Sequence, residues 1–370
     1  MKHKISRLFI IILSVMVLTG CWDEKLIRDT SFILGTAFDK KEDKLIGTYA
    51  TPAATIYPQG GIITTVEGHT VRELTFRVND KVAETLDTSK IQTLIFSEKI
   101  AKEDGLYPYL DIYVRRPNNP INPFIMIVKG DAGQYLKTAI PNENIPSNYY
   151  KEIIKAHVDN GLLTHINVMK ASRIFKNKKF DILLPHFKRS GDGTPQLDGL
   201  AIFNGDKYTG KNLNQRQSII YNLLDNKKSK FLVNLIVKLE DEENKPAIEN
   251  YVTINILKQK RKMNTHIKNG KVSATVDLQL DIEVIESPKM NVKKHLRYLT
   301  KEIEKDLTKV ANQVVKNLQK ANSDGLGIEQ QLHSFHNKEF KKLDWKGSAY
   351  KNADIKANVT VKIKKHGLID

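Results

Sequence analysis

The stretch SPKMNVKKHLRYLTKEIEKDLTKVANQVVKNLQKA, residues 287–321, carries the most regular pattern in the chain. Val292, Leu296, Leu299, Ile303, Leu307, Val310, Val314, Leu318 and Ala321 recur at steps of three and four, the single apolar stripe of an amphipathic helix. Ser287 and Pro288 form a cap and first-turn pair, and Gly325 supplies a stop, so the spacing predicts one helix over 288–322. Such a stripe has to cover something. Alternating runs at 274–285 and 355–364 read as strands that supply a sheet beneath it. The other face bears Lys289, Lys293, Lys294, Arg297, Lys301, Lys305, Lys309, Lys316 and Lys320 against Glu302, Glu304 and Asp306. That face reads either as a surface for anionic lipid or an acidic partner, or as an ordinary solvated helix face.

Upstream, strands and helices alternate. Residues 31–39 and 44–50 read as strands about a charged turn, followed by short strands at 62–66, 91–96 and 124–128. Thr70 and Glu73 fit a capping box opening a helix with Val71, Leu74, Val78, Val82 and Leu86 on one side. A helix runs through Ile100 and Leu110, and another, capped by Ser147, through Tyr150, Ile154 and Val158. Asn204-Gly205 is a hairpin signal between 199–203 and 207–209, and a helix passes through Ile219 and Leu223. Strands at 232–239 and 251–258 flank an acidic run at 240–243. The fold class is α+β (mixed α/β) and multi-domain, with the long C-terminal helix packed on a sheet.

At about 150 residues per domain, 370 residues should divide. Ser190-Gly191-Asp192-Gly193-Thr194-Pro195 marks the strongest break. The expected units are a leader at 1–20, an N-terminal mixed α/β domain at 21–195, a small middle α/β domain at 196–262 and a C-terminal α/β domain at 263–370.

Lys plus Arg number 59 against 42 Asp plus Glu, a net charge of +17 that suits a negative partner surface. A hydrophobic content of 40% excludes a wholly disordered chain, and one cysteine excludes a disulfide framework or a Cys-cluster zinc site. That cysteine follows a basic flank at Lys2, Lys4 and Arg7 and an apolar run at 8–18. The run is too short for a bilayer core, which takes about 20 helical residues, and suits a secretory signal peptide. Leu18-Thr19-Gly20-Cys21 resembles the lipobox of bacterial lipoproteins. Cys21 is then the expected attachment residue for an S-diacylglyceryl group and, after cleavage, an N-acyl chain such as palmitate. Two chains give stable attachment where one is marginal. Export separates the chain from DNA, so a membrane rather than nucleic acid is the expected partner.

Reactive chemistry has little support. His333-x-x-His336 lacks an evident third zinc ligand, although Glu329 and Glu339 are nearby. No G-x-S-x-G and no phosphate-binding loop occur. No catalytic residue, metal or cofactor is expected. Arg115-Arg116-Pro117 reads either as a guanidinium fork for carboxylate or phosphate, or as a charged helix end before a loop. Trp345 reads as a core or sheet-edge aromatic.

Together the pieces resemble one family. Gly20-Cys21-Trp22-Asp23, with Leu34-Gly35-Thr36-Ala37-Phe38-Asp39 behind it, is similar to the start of the Ger(x)C lipoproteins, the C subunits of nutrient germinant receptors in endospore formers. Gly105-Leu106-Tyr107-Pro108-Tyr109-Leu110-Asp111, running on to Arg115-Arg116, resembles the family's segment before its central strand. Gly199-Leu200-Ala201-Ile202-Phe203 with Asp206-Lys207-Tyr208-Thr209-Gly210 resembles its mid-chain hairpin. Asp324-Gly325-Leu326-Gly327, a basic stretch with Trp345 and a last strand to His366-Gly367 resemble its tail. Ala37 stands where the family often has a second Gly, which would tighten a turn, and Gln217 where it has a Glu, so no role is assigned to that carboxylate.

The resemblance implies a non-enzymatic subunit of three mixed α/β domains, with breaks near Pro195 and Met263. It implies anchoring on the outer face of the spore's inner membrane and assembly with membrane-embedded A and B subunits. The B subunit resembles amino-acid transporters, which places germinant binding there rather than on this chain. The rival reading is an exported substrate-binding lipoprotein of a transporter, which would have two similar α/β lobes around a cleft.

Overall fold

The computed structural model describes residues 29–52, 61–115, 119–141, 143–177, 180–227, 229–230, 232–239, 246–288 and 290–366. Cys21, the leader, Arg116, Lys289, Gly367 and the acidic run at 240–243 lie outside the described residues. The first part of the chain forms β1 (Thr30–Phe32), β2 (Gly35–Lys41), β3 (Lys44–Thr51), β4 (Ile62–Gly68), α1 (Val71–Asn79), β5 (Thr85–Asp87), β6 (Thr93–Ser97), α2 (Glu98–Glu103), α3 (Tyr107–Arg115) and β7 (Phe124–Val128). Then come α4 (Ala132–Lys137), α5 (Pro146–Asp159), α6 (Val168–Asn177), β8 (Leu183–Arg189), β9 (Pro195–Asn204), β10 (Lys207–Asn214) and α7 (Gln215–Leu224). The last part forms β11 (Val233–Lys238), β12 (Tyr251–Lys268), β13 (Lys271–Glu286), α8 (Leu296–Lys320), α9 (Ile328–Phe335), α10 (Asn337–Phe340) and β14 (Asp354–Lys365). The fold is α+β.

The larger sheet has eight strands in the order β10-β9-β8-β7-β6-β2-β3-β4. Its centre, β8-β7-β6-β2, is parallel, and antiparallel hairpins extend both sides. All residues of β6 and β7 are buried, which is why these strands are short apolar runs rather than alternating ones. Ile95, Met126 and Val128 join the core shared with α4, α5 and α7. Leu94, Phe96, Ile125 and Ile127 join the opposite core, beneath α1, α2, α3 and α6.

β1 and β5 form a short parallel pair of their own, and a four-stranded sheet is β11-β12-β13-β14, antiparallel except for the parallel pair β13 and β14. Val276, Leu278, Leu280 and Ile282 on β13, with Ala357, Val359 and Val361 on β14, form its buried face. The α8 stripe of Leu299, Ile303, Leu307, Val310, Val314 and Leu318 packs in the same cluster. Each fully buried Leu there contributes about 2 kcal/mol. That cluster continues into one face of the larger sheet, so a single apolar core runs through both sheets.

Several expected boundaries move. The turn at 190–194 closes the β8–β9 hairpin, with Arg189 opposite Pro195, so the larger sheet continues past 195 to Asn214. The expected division between 262 and 263 falls inside β12, one continuous strand of 18 residues. The long helix begins at Leu296 and not at 288, because Asn291 Oδ1 accepts the Lys294 N–H at 2.9 Å and organises a separate turn first. The helix expected through Ile100 and Leu110 is two helices, broken where Gly105 takes a φ of +81°. Ser147 lies inside α5 and makes no cap; Pro146 occupies the first turn instead. Ala37 sits mid-strand in β2, paired with Thr48 and Ile95, so no turn is tightened there.

Candidate functional site

Three segments singled out in the sequence meet where the two sheets join. The β9–β10 turn begins the network: Gly205 donates its N–H to Asp181 Oδ1 at 2.7 Å. The Asp206 carbonyl accepts from Leu106 N–H at 2.9 Å, and its carboxylate accepts from Tyr107 N–H at 3.3 Å. Gly105 has to be glycine here, since a Cβ would stand 2.5 Å from Asp206 Oδ2.

Asp181, its side chain wholly buried, is the centre of the junction. Its carboxylate also accepts from Asp324 N–H at 2.8 Å and from Lys346 Nζ at 3.0 and 3.1 Å. Asp324 in turn accepts from Ile328 N–H at 2.9 Å and Glu329 N–H at 2.6 Å, closing the start of α9. Burial pushes the Asp324 carboxyl up to about 6, against the pull of those two N–H groups. The Tyr221 and Tyr350 hydroxyls donate to the carbonyls of Gly325 at 3.0 Å and Ser323 at 2.7 Å. A buried carboxylate with an ammonium and two backbone donors is a satisfied group, and removing any one partner exposes the others to a large penalty. Beside the junction lies a cavity of about 370 Å³, lined among others by Asp181, Tyr221, Asp225, Arg261 and Gln330.

A second polar cluster lies at the carboxyl ends of the parallel strands, where open α/β sheets take ligands. There the Asp39 carboxylate accepts from Ala132 N–H at 2.7 Å and Gly133 N–H at 2.8 Å. The N–H groups at the start of α4 that would meet a ligand's anion are thus held by the chain itself. Burial raises the Asp39 carboxyl above its ordinary range. Close by, His186 is buried between Glu98, 2.9 Å from Nε2, and Asp198, 3.2 Å from Nδ1. The hydrogen bond to His186, helped by Lys102, holds Glu98 down at about 2.

The other candidates separate. Arg115 pairs with Asp111 at 2.5 Å on its own helix. His336 Nε2 lies 2.8 Å from the Thr265 carbonyl, whereas the His333 ring meets Phe340, so the two histidines have different partners. Trp345 is buried between Phe340 and Tyr350, a core aromatic. Gln217 completes a capping box with Asn214, its Oε1 accepting the Asn214 N–H at 3.2 Å, so an amide performs that task without a carboxylate. Asp181, His186 and Glu98 carry no periodic or motif signal and emerge only from contacts distant in sequence.

Comparison with known proteins agrees with this architecture. The family model described as "Spore germination protein N-terminal domain" matches residues 23–189, and "Spore germination B3/ GerAC like, C-terminal" matches residues 198–367. Spore germination protein GerQC of Bacillus cereus is 27% identical, over 97% of this chain and 98% of its own. Spore germination protein KC of Bacillus subtilis (strain 168) is 23% identical, over 93% of this chain and 90% of its own. The crystal structure of the GerBC protein superposes with a TM-score of 0.59 at 17% identity, covering 92% of this chain and 99% of that one, so the fold is shared. With both halves matched in order, the chain belongs to the Ger(x)C family, the C-subunit family of spore germinant receptors.

Proposed function

We propose that this chain is the lipid-anchored C subunit of a nutrient germinant receptor. Cys21 tethers it to the outer face of the spore's inner membrane, beside membrane-embedded A and B subunits, and its surface rather than a reactive centre is the working part. One observation carries this reading: the segments that mark the family, 105–111, 199–210 and 324–327, spend their polar groups on one hydrogen-bonded junction within the chain. A tether raises the effective concentration of such a body for partners in the same membrane. The rival substrate-binding lipoprotein calls for two similar lobes, whereas the two main sheets here have eight and four strands and share a core.

Affinity purification of the tagged chain from detergent-solubilised spore membranes tests the assembly. The expected result is recovery of two integral-membrane proteins with it, and loss of both when Cys21→Ala moves the chain to the soluble fraction. Recovery of the wild-type chain alone, from the soluble fraction, would contradict the reading.

A further inference from the structure

Helix α8 has seven exposed positions: Arg297, Lys301, Lys305, Lys309, Gln313, Lys316 and Lys320. Their steps of four and three keep them on one side of the helix, in a stripe about 35 Å long at 1.5 Å per residue that winds slowly about the axis. Six of the seven are cations. The acidic residues of the same helix are turned to internal tasks. Glu302 is buried, Glu304 accepts the Val361 N–H at 2.7 Å, and Asp306 pairs with Arg216. A helix of mixed charge in sequence therefore presents almost only positive charge to solvent.

The spacing of these cations works against the helix itself. Arg297, Lys301, Lys305 and Lys309 are like-charged neighbours at (i, i+4), as are Lys316 and Lys320, and such pairs weaken a helix. The first turn has no acidic residue and no side-chain cap, while Lys294 and Arg297 stand exposed at the positive end of the helix dipole.

We propose that this line is a membrane-facing ridge that lies along the phosphates of anionic lipid headgroups and sets the orientation of the body, which rests on the tethering read above. Lipid fits better than an acidic protein. Protein interfaces favour aromatic residues and Arg over Lys, yet five of the six cations are Lys and no large exposed apolar side chain interrupts the line. Lysines act as hydrated point charges whose attraction to an anionic surface adds residue by residue and fades within a Debye length. Lys362 on β14 lies in the groove beside Arg297 and Lys301 and widens the positive strip.

The test places the full chain on phosphatidylcholine vesicles with and without phosphatidylglycerol and follows lysine acetylation by mass spectrometry. Lys301, Lys309 and Lys316 should label about fivefold more slowly on the anionic vesicles, with protection lost at high salt. Lys258, Lys260 and Lys262, exposed on β12, should label equally on both. The double variant Lys301→Glu, Lys309→Glu should melt at a higher temperature, since it replaces like-charge pairs by opposite ones, and yet lose the protection of Lys316. Flotation with neutral vesicles reports the tether alone. Flotation without ridge protection overturns the ridge and leaves the tether; no flotation with either vesicle overturns both. Protection of the β12 lysines instead, or ridge protection only after an acidic protein is added, also overturns the proposal.

Discussion

Asn312 on α8 and Ala357 on β14 exchange two hydrogen bonds in the manner of paired strands: Asn312 Nδ2 donates to the Ala357 carbonyl at 2.7 Å, and the Ala357 N–H donates to Asn312 Oδ1 at 3.1 Å. One helical turn earlier, Thr308 Oγ1 accepts from the Val359 N–H at 3.1 Å, and one turn earlier again Glu304 takes the Val361 N–H. Four helical residues rise about 6.0 Å and two strand residues about 6.6 Å, so the flank of the helix stays in step with every second residue of the strand. The middle of this edge of the 12-residue strand, from Ala357 to Val361, is thereby satisfied from within the chain rather than left as a template for another.

Asn312→Ala should cost about 2 kcal/mol, two modest hydrogen bonds and a partly dried strand edge. Urea unfolding measures the loss. Size-exclusion chromatography at rising concentration should show new association through the freed edge, and an unchanged urea midpoint would show that water replaces the amide without cost.

Asp181→Ala strips partners from Gly205, Asp324 and Lys346 together. The expected destabilisation is about 3 kcal/mol, the lower end for a broken buried pair because Lys346 is partly exposed and can turn to water. Asp181→Asn should fall between that variant and wild type. A wild-type melting temperature for Asp181→Ala would remove the junction from the account of how the two sheets are held.

Two carboxyls give opposite pH signatures. Asp324 is raised by burial to about 6, so the native state keeps a proton that the unfolded chain releases near 3.8; its stabilisation is complete at low pH and is lost as pH rises through about 6. Glu98 is lowered to about 2 by its bond to His186, so its stabilisation is present above 4.5 and is lost as pH falls through about 2. Urea midpoints against pH should show Asp324→Asn flattening the decline between about 4 and 6, and Glu98→Gln flattening the decline below about 4.5. Curves parallel to wild type in both windows would contradict the two assignments.

Gly199→Ala should be among the most damaging single-methyl additions, costing about 3 kcal/mol or more. Gly199 has a φ of +142°, and a Cβ would stand 2.0 Å from the Leu213 carbonyl oxygen on the paired strand β10. Gly191→Ala, with nothing within 4 Å of the added atom, is the matched control and should unfold like wild type.

The α8 stripe is legible in the sequence because one face alone is buried and its period does not break from Leu299 to Leu318. β6 and β7 are legible for the contrary reason, five buried residues in a row. The start of α8 is not: Ser287 and Pro288 obey the local rules for a helix start, yet Asn291 takes the first capping bond and Ser287 Oγ is buried without a hydrogen-bond partner among the described residues. Turn-rich residues at 190–194 read alike whether they divide a chain or close a hairpin, and only the β8–β9 register shows that one sheet crosses them. Asp181 is invisible to any local rule, because its partners stand 24, 143 and 165 residues away.

The most direct measurement is nutrient germination of spores from the native host, comparing wild type, a deletion of this chain and Cys21→Ala at matched level. The account predicts that the deletion loses the response to one class of nutrient and that Cys21→Ala loses at least part of it. A deletion strain without a redundant receptor that still germinates normally with every nutrient would contradict the receptor role.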